Sequence, residues 1–142
     1  TTRGMIVTIL YRMEDSPTVT ESCLFADVKS GSYYEKAITW AAANGIVNGY
    51  SSEQFGPNDN IAREQLAAIL HRYANYKGYD VSVGEDTNIL SFDDAQTISG
   101  YAVPAMQWAC GAGLMQGSNR KLLPTAQATR AQVAAMLHRF LG

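Results

Sequence analysis

Apolar residues return at helical spacing three times along this chain. In residues 61–73, IAREQLAAILHRY, they fall at Leu66, Ile69, Leu70 and Tyr73. In residues 128–140, ATRAQVAAMLHRF, they fall at Val133, Met136, Leu137 and Phe140. The opening TTRGMIVTILYRM repeats the pattern at Ile6, Ile9, Leu10 and Met13. Offsets of three and four residues put each set on one face of a helix, which predicts helices near Arg3–Met13, Arg63–Tyr76 and Arg130–Leu141. One such stripe is too narrow to bury itself, so the three are expected to share a core.

A second kind of helix lies between them and carries tryptophan. Residues 33–44, YYEKAITWAAAN, align with 101–112, YAVPAMQWACGA, so that Trp40 meets Trp108 and Ala37 meets Ala105. Gly45-Ile46 and Gly113-Leu114 follow, a left-handed glycine and an apolar residue that stop a helix. Pro104 falls in a first turn, where its missing N–H is tolerated. Before each helix stands Phe-x-Asp, at Phe25-Ala26-Asp27 and Phe92-Asp93-Asp94. After each come Gly49 or Gly117 as a further permissive turn position, Phe55 or Leu122, then Pro57 or Pro124. The repeating unit therefore reads as helix, glycine stop, turn, short extended piece, helix. Residues 77–91 form a connector, and the Gly84-Glu85-Asp86-Thr87 run within it reads as exposed loop.

The chemistry that stands out is the arginine at the same register of all three amphipathic helices: Arg3, Arg63 and Arg130. In Thr129-Arg130-Ala131-Gln132 the threonine fits an N-cap and Gln132 closes a capping box, which puts Arg130 at the first helical position. A cation there opposes the helix dipole. Its recurrence has two readings. Each guanidinium, beside free helix-start N–H groups, can hold a carboxylate or phosphate; or each pairs with a carboxylate of a neighbouring repeat. On the first reading, Arg63→Ala costs binding and leaves the melt native-like. His71 and His138 precede arginines near helix ends and read as solvated, dipole-complementing residues.

Composition narrows the function. Hydrophobic residues make up 46% and charged residues 17% of 142, which fits a globular chain. A net charge of −2 argues against a general nucleic-acid surface, so anion binding must be local. No apolar run approaches a membrane span, and membrane insertion is not expected. Cys23 and Cys110 have no metal spacing and read as unpaired thiols. No nucleophile–base motif, phosphate loop or metal quartet appears, so neither enzymatic activity nor a cofactor is expected.

Taken in order, Phe-x-Asp, the tryptophan helix, Gly-Ile or Gly-Leu, the second glycine, apolar-x-Pro and the arginine helix together resemble the S-layer homology domain. On this resemblance residues 1–15 are the C-terminal half of a first repeat, 23–76 a second repeat, 77–91 the connector and 92–142 a third repeat. It implies an all-α fold of helical repeats in a pseudo-threefold arrangement around a central bundle of the three arginine helices. It also implies an extracellular module that attaches surface proteins to a bacterial cell wall without a covalent bond. The partner implied is a secondary cell-wall polysaccharide, often pyruvylated, held in grooves between repeats; a protein–protein assembly role is the alternative.

The family's Thr-Arg-Ala-Glu motif falls on Thr2-Arg3-Gly4-Met5, Ala62-Arg63-Glu64-Gln65 and Thr129-Arg130-Ala131-Gln132. The arginine is kept each time, and the final glutamate is replaced each time. Arg3, Arg63 and Arg130 are thereby candidate ligand residues. Asp27 and Asp94 are candidates too, as acceptors for sugar hydroxyls, unless they close Asx turns or pair with the arginines. Trp40 and Trp108 could wall a sugar ring or simply pack in the core. The incomplete first repeat leaves one face of the Arg3 helix without its usual cover, so an apolar patch beside Ile6 and Ile9, and self-association through it, are expected.

Overall fold

The computed structural model describes residues 1–82, 87–117 and 119–141, and the 84–86 part of the expected exposed loop lies outside them. The fold is all-α. Among the described residues five helices run in order as α1 (Arg3–Met13), α2 (Glu35–Ala43), α3 (Arg63–Tyr76), α4 (Val103–Gly111) and α5 (Arg130–Leu141). Two 3₁₀ turns, Ala95–Thr97 and Gly100–Ala102, lead into α4. Among the described residues there are no strands, only the isolated bridges Thr2↔Asn60 and Ala62↔Gln127. No described helix is long and apolar enough to cross a membrane. The chain forms two compact units, Thr1–Asn60 and Ile61–Gly142.

In the first unit α1 packs against α2. Ile6, Val7 and Leu10 from α1 and Ala37, Ile38 and Ala41 from α2 are buried, and Tyr11 meets Trp40 at a ring separation of 5.6 Å. In the second unit α3 packs against α4, with Leu66, Ala67, Leu70, Tyr73, Ala105, Met106 and Ala109 buried. The pairing inside each unit therefore joins an arginine helix to the tryptophan helix that follows it in the chain. The packing unit is offset by half from the unit that the sequence repeats.

That offset corrects the expectation about exposed surface. The α1 face at Ile6 is closed, with Ile6 1% exposed and Leu10 fully buried, while Ile9 beside it is half-buried. The sparsely covered helix is α5, where only Val133 and Met136 are buried and Leu141 is 63% exposed. α1 and α3 each pack along the tryptophan helix that follows them, whereas α5 meets α4 edge-on through Phe140 and Trp108.

The glycine stops form as expected. Gly45 and Gly113 adopt φ of 72° and 78°. Ile46 N–H reaches back to Ala41 O and Leu114 N–H to Ala109 O, both at 2.8 Å, which closes the last turns of α2 and α4. Gly49 and Gly117 serve a different purpose from the one expected. A Cβ on Gly49 would lie 2.4 Å from the Phe25 ring, and one on Gly117 would lie 2.3 Å from the Phe92 ring. Close approach of the Phe-x-Asp ring, rather than turn conformation, requires glycine here.

Candidate functional site

The short segment before each arginine helix is where the motifs meet. In the first unit Asp27 accepts hydrogen bonds from Phe55 N–H at 2.9 Å and Gly56 N–H at 2.8 Å. Phe55 O in turn accepts from Arg3 Nε at 3.0 Å, and Asn48 O from Arg3 Nη2 at 3.3 Å. The second unit repeats this with different side chains. Asp94 accepts from Leu122 N–H and Leu123 N–H, both at 2.8 Å. Leu122 O accepts from Arg63 Nε at 2.8 Å, and Gln116 O from Arg63 Nη2 at 3.3 Å. One peptide unit thus has its N–H held by the aspartate and its carbonyl by the arginine.

This geometry settles what the aspartates touch. Their hydrogen bonds run to amides 28 and 29 residues further along the chain, those of Phe55 and Gly56 for Asp27 and of Leu122 and Leu123 for Asp94. Each fixes the strip whose carbonyl orients the guanidinium, and is a positioning group for it. Burial tends to raise the Asp94 pKa, but the amide bonds from Leu122 and Leu123, its own amide and nearby Lys121 outweigh it and hold the carboxyl below its ordinary value.

The arginines differ among themselves. Arg3 and Arg63 are 5% and 7% exposed, whereas Arg130 lies open to solvent. Burial lowers the Arg63 pKa, with Cys110 and Asp94 acting in the opposite direction. The Arg3 guanidinium carbon sits 4.6 Å from the ring centres of both Tyr50 and Phe55. Leu122 stands in the Phe55 position beside Arg63.

Helix-start N–H groups do not contribute to an anion site in α1 or α3. Arg3 N–H bonds to Asp59 O and Gly4 N–H to Pro57 O, both at 2.9 Å. Arg63 N–H bonds to Ala126 O at 2.9 Å and Glu64 N–H to Pro124 O at 2.8 Å. In α1 Thr2 Oγ1 also accepts from Met5 N–H, and Gln65 and Gln132 close back on Ala62 N–H and Thr129 N–H. Ala62 has no side-chain oxygen to cap α3, and the charged group offered to an anion there is the guanidinium.

Around Arg63 there is room for one. A cavity of about 260 Å³ is lined by Arg63, Leu114, Gln116, Gln132, Met136 and Arg139, among others. Arg139 donates to Leu114 O at 3.2 Å. Sequence reasoning singled out Arg63 here and passed over Arg139, although Arg12, Arg72 and Arg139 share a register nine residues after the motif arginines.

Trp40 and Trp108 are each 4% exposed. Trp108 lies between His71, at 5.1 Å, and Phe140, at 6.3 Å between ring centres. A stacking platform for a sugar needs an open ring face, and these rings face the core. His71 is correspondingly packed rather than solvated, while His138 is exposed. Cys23 and Cys110 are free thiols. Burial pushes the Cys110 thiol up, with Arg63 pulling it partly back.

Residues 24–67 and 91–134 each match the S-layer homology domain. The chain is 33% identical over 141 residues, 99% of its length, to an amylopullulanase of Thermoanaerobacterium thermosulfurigenes, of which it spans 7%. It is 31% identical, again over 99% of its length, to an endoglucanase of Bacillus sp. (strain KSM-635), of which it spans 15%. It is 30% identical over 81% of its length to a surface-layer 125 kDa protein of Lysinibacillus sphaericus, of which it spans 10%. Two domain matches covering more than half of the chain establish that it belongs to the S-layer homology domain family.

Proposed function

We propose that this chain, a bacterial cell-surface anchoring module, holds its wall by seating a carboxylate-bearing sugar of a secondary cell-wall polysaccharide in the Arg63 groove. One observation carries the reading: a guanidinium only 7% exposed is held by the neutral carbonyls of Leu122 and Gln116 and lines an open cavity. Carbonyls orient such a group without neutralising it, Asp94 offsets its charge only in part, and a ligand carboxylate answers both charge and planar geometry. A pyruvate ketal presents such a carboxylate rigidly on a sugar ring. Leu114 and Met136 on the cavity wall suit the apolar face of that ring.

The test is pull-down with purified sacculi before and after extraction of the secondary polymer. Binding that disappears on extraction, and disappears also when mild acid removes the ketals, supports the reading. Binding that survives extraction overturns it in favour of a peptidoglycan or protein partner.

A further inference from the structure

We infer that Arg139 is the second anion-holding side chain of the Arg63 groove, so that the ligand carboxylate sits between two guanidiniums. The inference rests on the carbohydrate-anchoring reading above and deepens it.

Both arginines are anchored on one short strip. Arg63 Nη2 bonds to Gln116 O and Arg139 Nη1 to Leu114 O. Those anchor residues are two apart, so they lie at most about 7 Å from each other along the chain. Both guanidiniums line the same cavity of about 260 Å³. A carboxylate seated in that cavity has a guanidinium on its lining from each arginine, and a guanidinium–carboxylate contact brings nitrogen and oxygen to about 2.8 Å on each side.

Charge argues the same way. The remaining lining residues are Leu114, Met115, Gln116, Ala131, Gln132, Ala135 and Met136, with no carboxylate among them. Among the described residues no carboxylate lies within ion-pair distance of Arg63 or Arg139. Two positive charges in a small groove with neutral walls select an anion.

A simpler role for Arg139 is to complement the dipole in the last turn of α5. That role needs only a cation near the helix end. It gives no reason for the side chain to reach Leu114 O and line the cavity.

The experiment measures binding of the intact domain to purified, pyruvylated secondary cell-wall polymer, using Arg139→Gln, Arg139→Lys and Arg12→Gln. Arg12 occupies the last turn of α1 and serves as the dipole control. The expected result is at least about tenfold weaker binding for Arg139→Gln with a shallower salt dependence, since one fewer charge contacts the anion. Arg139→Lys should recover part of the loss, and Arg12→Gln should bind as the unmodified domain does. Thermal melts of all three should stay close to that domain's. Unchanged affinity and salt dependence in Arg139→Gln would overturn the inference while leaving the anchoring reading intact. An equal loss in Arg12→Gln would overturn it in favour of a general dipole or surface-charge effect. Failure of the unmodified domain to bind the polymer would remove the anchoring reading and this inference with it.

Discussion

Asp94→Asn changes one oxygen to an NH₂ group and should disturb both stability and binding. The carboxylate accepts from Leu122 N–H on one oxygen and from Leu123 N–H on the other. An amide can accept only one of these; its NH₂ must then face the second backbone donor. The loss is one charge-assisted hydrogen bond plus weakening of the other, which from charged-group values would be about 2–3 kcal/mol. Asp94 is half-exposed, so solvent screening brings the expectation to about 1–2 kcal/mol. For a chain of this size that is a fall of roughly 3–8 °C in melting temperature at pH 7. The sign with pH follows from the depressed carboxyl. Its contribution is fully present above the ordinary aspartate pKa and is lost as pH falls through the lower folded-state value. The gap between the two proteins should therefore narrow on acidification, read by circular-dichroism melts across pH 7 to 3. Because Leu122 O orients Arg63, polymer binding measured well below the melt should fall too. A mutant that melts like the parent at pH 7, or a gap that stays constant into acid, would refute the account of Asp94 as the holder of the strip.

Arg63→Ala removes a buried bond to Leu122 O and a longer, part-buried one to Gln116 O, so the native-like melt expected from sequence gives way to a loss of about 1–3 kcal/mol, with polymer affinity down at least about tenfold below the melt; a destabilised mutant that binds normally would reduce Arg63 to a structural role. Glu64 is 4% exposed and accepts from Ser99 N–H and Oγ at the start of the turn before α4, so Glu64→Ala should cost about 2–3 kcal/mol in urea melts. Leu123 adopts φ of 52° where the earlier repeat has Gly56 at 74°, so Leu123→Gly should relieve about 1–2 kcal/mol of strain. Added unfolded-state freedom removes part of that, leaving a gain of up to about 1 kcal/mol; a lower melting temperature would mean that the leucine side chain contributes more than its conformation costs.

Helix positions were legible in the sequence because a 3.6-residue period reports directly which face is apolar. Period does not report which neighbour covers that face. The pairing of α1 with α2 and of α3 with α4 therefore had to be seen, and with it the closure around Ile6 and the openness of α5. The same limit applies to the motifs. Phe-x-Asp was visible as a repeated string, but its aspartate acts on amides 28 residues further along the chain. Nothing local distinguishes that role from sugar contact. The tryptophans were ambiguous for a related reason, since residue type does not tell whether a ring faces core or solvent. Arg139 left a trace only as a shared register with Arg12 and Arg72.

The half-repeat offset also explains why three equal arginines end in unequal surroundings. A motif arginine becomes buried and oriented only when two later pieces of chain reach it: the turn after the next tryptophan helix and the strip held by the next Phe-x-Asp. Arg3 receives both, from Asn48 O and from Phe55 O under Asp27. Arg63 receives both, from Gln116 O and from Leu122 O under Asp94. Arg130 receives neither among the described residues and stays exposed, although its helix start is capped by Thr129 and Gln132. Capping is local and forms from four consecutive residues, whereas orientation of the guanidinium depends on a downstream repeat. Orientation of a motif arginine in this architecture is thus a property of the arginine together with the repeat that follows it.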